Sequence, residues 1–188
     1  MRPVPPARPV VGYVGGKKLL AKTIIARIEA IPHGVYAEPF VGMGGVFLRR
    51  RFAPRCEAIN DLSGDVATFF RVLQNHYQAL MAMLRWQVAS RAEFERLIGL
   101  APDHLTDLQR AARFLYLQAS AFGGKVAGRN FGVHTSGPAR CDPARLQPLL
   151  EAAHDRLGGV FIERLEWHAF IARYDRPETL FFVDPPYW

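Results

Sequence analysis

The sequence predicts an α/β protein with a doubly wound sheet that is interrupted by a helical, basic insert. Short apolar segments typical of buried strands lie towards both ends of the chain, with helical patterns between them. A glycine-rich turn follows the first strand and an acidic residue follows the second, which is how a doubly wound domain begins. The middle of the chain instead carries two helix-start patterns and a basic loop.

The first third of the chain forms the opening of this sheet. After a short extended arm, a helix is predicted for residues 17–31, because apolar residues recur there at helical spacing. Residues 35–38 are predicted as a buried strand and residues 56–59 as a second strand. Between them, a helix is predicted from residue 45 or 46 to about residue 52. Ser63 is predicted to cap the following helix. The apolar residues of the two amphipathic helices are Leu19, Leu20, Ile24, Ile25 and Ile28, then Val66, Phe69, Phe70 and Leu73.

Two capping-box patterns predict helices in the middle of the chain. Ser90 with Glu93 and Thr106 with Gln109 both place a hydroxyl three residues before a Glu or Gln. The second helix has an apolar face of Ala112, Leu115, Tyr116 and Ala119.

The remaining elements return to the sheet. Residues 122–140 are rich in Gly, Ser, Asn, Lys and Arg, which predicts a loop or hairpin. Asp142-Pro143 starts a helix, and residues 159–163 and 180–184 are predicted as buried strands. We therefore divide the chain into residues 1–75 and 142–188, which build the sheet domain, and residues 76–141, the insert.

The composition fits a folded protein with a polyanionic partner. Twenty-four Lys and Arg against 17 Asp and Glu give a net charge of +7 and a pI near 9.8. Neutralising phosphates releases counterions and favours binding, although a basic surface that only keeps the protein soluble stays open. The sequence shows no signal peptide or apolar run of membrane-spanning length, and its only cysteines are Cys56 and Cys141. We expect a cytoplasmic protein without membrane, disulfide or metal.

Asp184-Pro185-Pro186-Tyr187 is the most informative motif, because it directly follows the apolar run of residues 180–183. It is either a strand ending in a proline turn or a catalytic site. A carboxylate and a backbone C=O could accept the two hydrogens of an exocyclic amine and shift electron density onto its nitrogen. Proline makes such a turn rigid, and the tyrosine offers a face on which an extruded base can stack.

A second motif is the glycine-rich turn of residues 38–45, which could let a ligand approach the backbone closely. By itself it does not distinguish a structural turn from a ligand loop, nor one nucleotide cofactor from another. Asp61 ends the next strand, where a carboxylate could accept hydrogen bonds from a ribose or simply cap a helix. Gly15-Gly16-Lys17 forms a further amide-rich turn before the first helix.

Together these segments resemble the Dam-like DNA adenine N6-methyltransferases. Residues 13–17, residues 38–45, Asn60-Asp61-Leu62 and Asp184-Pro185-Pro186-Tyr187 occur in the order of that family. The resemblance covers most of the chain, from about Gly12 to Trp188. It implies a Rossmann-like methyltransferase sheet, the cofactor S-adenosylmethionine, double-stranded DNA as substrate and a restriction endonuclease as a candidate partner.

The resemblance also implies roles for individual residues. Glu38 and the glycines would hold the methionine end of the cofactor, Asp61 its ribose, and Glu166-Trp167 would lie near its adenine. Glu166 departs from the Asp that is frequent in the family. The implied cofactor residues are Tyr13, Gly16, Lys17, Glu38, Phe40, Gly42, Gly44, Asp61, Glu166, Trp167 and Asp184. The implied catalytic residues are Asp184, Pro185 and Tyr187, and the DNA-binding candidates in the basic loop are Lys125, Arg129 and Asn130.

The family's sheet continues past this motif, so the sequence predicts a C-terminally incomplete sheet with an open, apolar edge at residues 180–183. A fragment, a decayed reading frame and half of a split enzyme all fit. Besides an active methyltransferase, three alternatives stay open: a non-catalytic DNA-binding remnant, methylation of another amine in DNA or RNA, and a dinucleotide-dependent oxidoreductase.

Overall fold

A four-stranded parallel sheet forms the centre of the computed structural model, which describes residues 1–133 and 137–186. Its strands are β2 (Val35–Glu38), β4 (Cys56–Asn60), β5 (Phe161–Glu163) and β6 (Thr179–Phe181), in the spatial order β5-β4-β2-β6. All three pairings are parallel. Two short strands, β1 (Arg2–Pro3) and β3 (Phe52–Ala53), pair antiparallel beside it.

Seven helices surround this sheet in the described part of the chain. They are α1 (Ala21–Glu29), α2 (Gly64–Asn75), α3 (Tyr77–Leu84), α4 (Arg91–Ile98), α5 (Asp107–Ser120), α6 (Pro143–Arg156) and α7 (Trp167–Tyr174). The prediction of an α/β fold with a parallel central sheet is confirmed. None of the helices in the described ranges is long and apolar enough to cross a membrane.

The two faces of the sheet carry side chains of different size, because successive residues of a strand point to opposite faces. Ala37 and Ala58 lie on one face, and their small side chains leave room for the buried ring of Phe170 from α7. Tyr36 and Ile59 lie on the other face and join the main hydrophobic core. The central strands are therefore covered on both sides.

The predicted insert shares the main core rather than forming a separate one. Residues 111–120 of α5 are all buried, and α5 packs along α2, whose predicted apolar face is also buried. Helices α3 and α4 pack against α5, and α3 also contacts α6. The division at residues 76 and 141 stays a prediction from sequence pattern.

The first predicted helix is shorter than expected. Helix α1 begins only at Ala21, because Lys17–Leu20 forms a turn in which the Leu20 and Ala21 amides both donate to the Lys17 carbonyl. Leu19 and Leu20 therefore lie outside the helix and are exposed, by 93% and 57%. Their predicted place within the helix is wrong.

The prediction of a helix from residue 45 or 46 to about residue 52 is also wrong. Only a short 3₁₀ turn, Phe47–Arg49, is present, and Arg50 is already extended. The following residues pair with the N-terminal segment as β3, and Ala7 of that segment donates to the Leu48 carbonyl. The tertiary pairing thus overrides the local helical pattern.

The last two strands are only partly buried, contrary to the prediction. They are the outer strands of the sheet, so each pairs on one side only among the described residues. Phe161 is 57% exposed and Val183, two residues beyond β6, is 49% exposed.

Candidate active site

The predicted site residues gather at one edge of the sheet, where the carboxyl ends of its four parallel strands meet. Glu38 ends β2, Asp61 follows β4, Glu166-Trp167 follows β5, and Asp184 follows β6. Ligands of open α/β sheets bind at this edge. Segments more than 120 residues apart in sequence, from residue 38 to residue 184, are thereby placed on neighbouring strands.

The glycine-rich turn after β2 has a backbone that only glycine adopts easily. Gly42 has φ of +50° and Gly44 of +72°, both in the left-handed region. A Cβ on Gly42 would lie 3.1 Å from the ring of Tyr13. Tyr13 therefore packs directly on the turn, and their predicted shared role in cofactor binding stays a prediction.

Asp61 braces this turn from the neighbouring strand. One carboxylate oxygen accepts from the Gly42 amide and the other from the Ser63 amide, each at 2.9 Å. Burial raises the pKa of Asp61, and these two hydrogen bonds oppose that rise. Because a carboxylate has about four acceptor positions, Asp61 keeps capacity for a ligand hydroxyl. Its negative charge and burial raise the pKa of Tyr13 to about 12, burial being the larger cause.

Glu38 is the most deeply buried carboxylate of the site, with 2% of its surface exposed. Burial raises its pKa to about 8, and the neighbouring charges of Asp184 and Asp61 act in the same direction. Its Oε2 accepts a 2.7 Å hydrogen bond from the Tyr36 hydroxyl, which lowers the pKa and partly opposes burial. In the isolated chain Glu38 is therefore largely protonated at neutral pH.

Asp184 is joined to the N-terminal turn by an ion pair. The Lys17 Nζ lies 2.7 Å from Asp184 Oδ2 and also donates to the Gly15 carbonyl at 2.9 Å. The Gly16 amide closes the same turn by donating to the Tyr13 carbonyl. Pro185 is exposed next to Asp184. Tyr187, predicted to stack the base, lies outside the described residues.

Asn60 is a site residue whose role sequence reasoning missed. Its side-chain amide donates to the carbonyls of Pro39 and Leu165 at 2.9 and 3.0 Å, and its oxygen accepts from the Leu165 amide at 2.8 Å. It thereby joins the turns after β2, β4 and β5. A buried asparagine at the end of an apolar strand is the signal that could have identified it.

The remaining predicted cofactor residues lie around this edge. Phe40 and Gly42 are half-buried, while Glu166 and Trp167 are exposed at the start of α7. The Trp167 ring is 52% exposed and contacts His168 edge-to-face. The exposed indole is available to a planar ligand, and its predicted adenine contact stays a prediction.

The three basic-loop candidates have different surroundings. Lys125 and Asn130 are exposed in a hairpin-like segment, where the Phe122 amide donates to the Asn130 carbonyl. Arg129 instead turns inward, and its guanidinium donates to Gln118 Oε1 at 3.2 Å and to the Lys125 carbonyl. Gln118, itself buried, also donates to the carbonyls of Gly12 and Gly124. DNA binding by these residues stays a prediction.

The charges at this edge suit a cationic ligand. Three carboxylates, Glu38, Asp61 and Asp184, lie on adjacent strands, and Lys17 is paired with one of them. Their mutual repulsion would fall if a positive group bound among them. In residues 1–133 and 137–186, no cluster of His, Cys, Asp or Glu side chains has the makings of a metal site.

This architecture, a parallel α/β sheet with a glycine turn and acidic residues at its carboxyl edge, is that of an S-adenosylmethionine-dependent methyltransferase fold. The family model for D12 class N6 adenine-specific DNA methyltransferases matches residues 13–188, and the chain belongs to this family. The chain is also similar to the Type II methyltransferase M1.LlaDCHI of Lactococcus lactis subsp. cremoris, with 25% identity over 124 residues. That match covers 62% of this chain and 42% of the relative, so the chain spans less than half of the relative's length.

Proposed function

We propose that this chain transfers a methyl group from S-adenosylmethionine to the exocyclic N6 of adenine at specific sites in double-stranded DNA. The observation that carries the proposal is the convergence of Glu38, Asp61 and Asp184 at the carboxyl ends of adjacent parallel strands. Family membership supports the same reaction. The name of the Lactococcus relative supports a further proposal, a role in restriction–modification beside a cognate endonuclease.

The order of the strands supports the proposed cofactor contacts. Across the sheet edge the order is Trp167, Asp61, Glu38 and Asp184. The first three would meet adenine, ribose and methionine, which is their order along an extended cofactor. Neighbouring strands lie about 4.8 Å apart, so four strands span a distance that suits a nucleoside with its tail. The cofactor would supply an electrophilic methyl group on a sulfonium that leaves as a neutral thioether.

Asp184 and Pro185 are the residues proposed to act on the adenine amine. The carboxylate of Asp184 and the carbonyl of Pro185 would each accept a hydrogen bond from one of its two N–H groups. These hydrogen bonds would raise the electron density on the nitrogen. Lys17 pairs with Asp184 Oδ2, which positions the carboxylate that is proposed to face the amine. Tyr187 is proposed to stack the extruded base, and Lys125, Arg129 and Asn130 to contact DNA.

The test is transfer of a labelled methyl group from S-adenosylmethionine to unmethylated DNA, followed by nucleoside analysis. Label in N6-methyladenine is the expected result. Asp184→Ala should reduce transfer at least about a thousand-fold while changing cofactor affinity little. Asp175→Asn, an exposed residue at the end of α7, is the matched control and should transfer normally. Full activity in Asp184→Ala would refute the proposed role.

A second candidate function is DNA binding without catalysis. It is favoured by the position of β6, whose outer edge pairs with no strand among the described residues, beside the exposed Val183 and Pro185. This candidate predicts salt-dependent DNA binding and no methylated product under any condition. Restoration of transfer by an added polypeptide would instead indicate an enzyme of two parts.

A further inference from the structure

Tyr36 and Glu38 form a buried pair on one face of β2. They are two residues apart in the strand, so both side chains point to the same face. Tyr36 is fully buried, and its hydroxyl donates to Glu38 Oε2 at 2.7 Å. Among the described residues, no other hydrogen bond reaches the Glu38 carboxylate.

The Tyr36 ring is held in turn by a buried charge cluster formed by Arg50, Glu57 and Arg156. The Arg50 guanidinium lies 3.8 Å from the centre of the Tyr36 ring and donates to Glu57 Oε1 at 2.6 Å. Arg156 donates to both Glu57 oxygens at 2.7 and 2.8 Å. All three side chains are less than 5% exposed.

This cluster contains one more positive than negative charge. Two arginines surround one glutamate, and His33 Nε2 lies 3.4 Å from the Arg50 guanidinium. A buried excess cation is costly unless an anion lies close to it. Glu38 is bonded to the hydroxyl of the same Tyr36 and interacts electrostatically with Arg50, so its ionised form would supply that anion.

We propose that Tyr36 is a positioning residue of the methyltransferase site, which holds the Glu38 carboxyl group and favours its ionised form for a cationic cofactor. The role in cofactor binding rests on the proposed function, whereas the effect of Tyr36 on the ionisation of Glu38 is a property of the free protein. The Tyr36 hydroxyl occupies Oε2 and leaves Oε1 to the ligand. The Arg50–Glu57–Arg156 cluster fixes the Tyr36 ring, and the ring fixes the hydroxyl that is bonded to Glu38.

The groups that face Glu38 come from four parts of the fold. Tyr36 and Arg50 lower the pKa of Glu38, while Asp184 after β6 and Asp61 after β4 raise it. Lys17 is paired with Asp184, and Glu57 lies beyond Tyr36. Because burial holds this pKa at about 8, small changes at Tyr36 alter the ionised fraction within an accessible pH range.

The experiment compares the pH titration of the Glu38 side chain by NMR in the full chain and in Tyr36→Phe. The variant removes one oxygen and keeps the ring under Arg50. Removing the donor should move the titration midpoint upwards by about one pH unit, since a charge-assisted hydrogen bond is lost. Glu38→Gln assigns the signal. Tyr116→Phe is the matched control, because Tyr116 is equally buried but its hydroxyl bonds to Val88 and Ser90.

Binding of S-adenosylmethionine is then measured between pH 6.5 and about 9.5 for the wild type and Tyr36→Phe. The variant should bind about ten-fold more weakly at pH 7, and the difference should disappear above the higher midpoint. Taking the ratio of the two proteins cancels titration of the ligand itself. A tyrosine with only a structural role would weaken binding by the same factor at every pH.

An unchanged Glu38 midpoint in Tyr36→Phe, or a constant affinity ratio, would overturn the proposal. If Tyr36→Phe does not fold, Glu38→Asp draws the carboxylate away from the same hydroxyl and should also titrate above its wild-type midpoint. The Glu38 midpoint could be higher in Tyr36→Phe while the wild type binds no S-adenosylmethionine. That result would support the Tyr36–Glu38 link and refute the proposed function. The two failures are thus distinguishable.

Discussion

Gly44 lies at a point in the glycine-rich turn where both conformation and space require glycine. Its φ is +72°, and a Cβ would lie 2.8 Å from Leu48 Cγ, which is fully buried. Gly123 in the basic loop has a similar φ of +67°, but a Cβ there would meet nothing within 4 Å. A comparison of the two glycines therefore distinguishes the cost of backbone strain, which both share, from the cost of steric crowding, which only Gly44 has.

We predict that Gly44→Ala destabilises the fold more than Gly123→Ala. Gly123→Ala should cost about 1 kcal/mol from the left-handed backbone alone. Gly44→Ala should cost at least about 2 kcal/mol, because the buried Leu48 must also move. Urea unfolding monitored by circular dichroism measures both. Equal losses in the two variants would show that the turn relaxes around the added methyl group.

Asn60 illustrates another residue-scale effect, in which one side chain satisfies backbone groups of two separate turns. Its amide and oxygen together make three hydrogen bonds to Pro39 and Leu165. An aspartate at this position would accept from the Leu165 amide but could not donate to either carbonyl. The residue type is therefore set by the need for both a donor and an acceptor.

At the scale of elements, helices α4 and α5 begin with similar sequence patterns but different capping. Thr106 accepts from the Gln109 amide at 3.3 Å, and Gln109 Oε1 accepts from the Thr106 amide at 3.0 Å. Ser90 makes no side-chain capping bond, and Glu93 pairs with Arg96 instead. Both helices start where predicted, yet only the second forms the full capping box.

We predict that Thr106→Ala costs about 1 kcal/mol of stability and that Ser90→Ala costs close to nothing. The physical reason is that the first substitution leaves the Gln109 amide without its partner at a helix end. The second removes a hydroxyl that caps no amide. Denaturant midpoints of the two variants, measured side by side, check the difference. A comparable loss in Ser90→Ala would mean that its hydroxyl caps α4 in solution.

At the scale of the whole molecule, the predicted insert and the sheet share one hydrophobic core. Residues from α3, α4 and α5 belong to the same buried cluster as Tyr36, Ile59 and the apolar face of α2. Arg156 at the end of α6 is bonded to Glu57 of β4, which joins the segments on either side of the insert. Such packing favours cooperative unfolding.

We predict a single unfolding transition for the chain. Trp86 follows α3 and Trp167 begins α7, so variants that lack Trp188 and retain one of these two tryptophans report on the insert and the sheet domain. Their fluorescence midpoints in urea should coincide with each other and with loss of helical circular dichroism. Two separate midpoints would show that residues 76–141 fold independently.

Local patterns were sufficient for much of the fold. The strand at residues 35–38, the Ser63 and Asp142 caps and the start of α5 follow from short-range preferences and are confirmed. Patterns failed where a tertiary contact competed with them. The helix predicted to end near residue 52 is replaced by pairing of β3 with β1, and the ends of β5 and β6 are exposed because they are outer strands.

The sequence by itself determined which residues are candidates for the site, because an acidic residue, a glycine turn and Asp184-Pro185-Pro186 each follow an apolar strand. Tertiary structure alone decided which side chains meet there. The order β5-β4-β2-β6 makes Asp61, Glu38 and Asp184 neighbours, and it brings Lys17 onto Asp184. The Arg50–Glu57–Arg156 cluster behind Tyr36 is likewise absent from any local pattern, since its members are up to 106 residues apart in sequence. Electrostatic partners are selected by distance in space, and only the folded chain defines that distance.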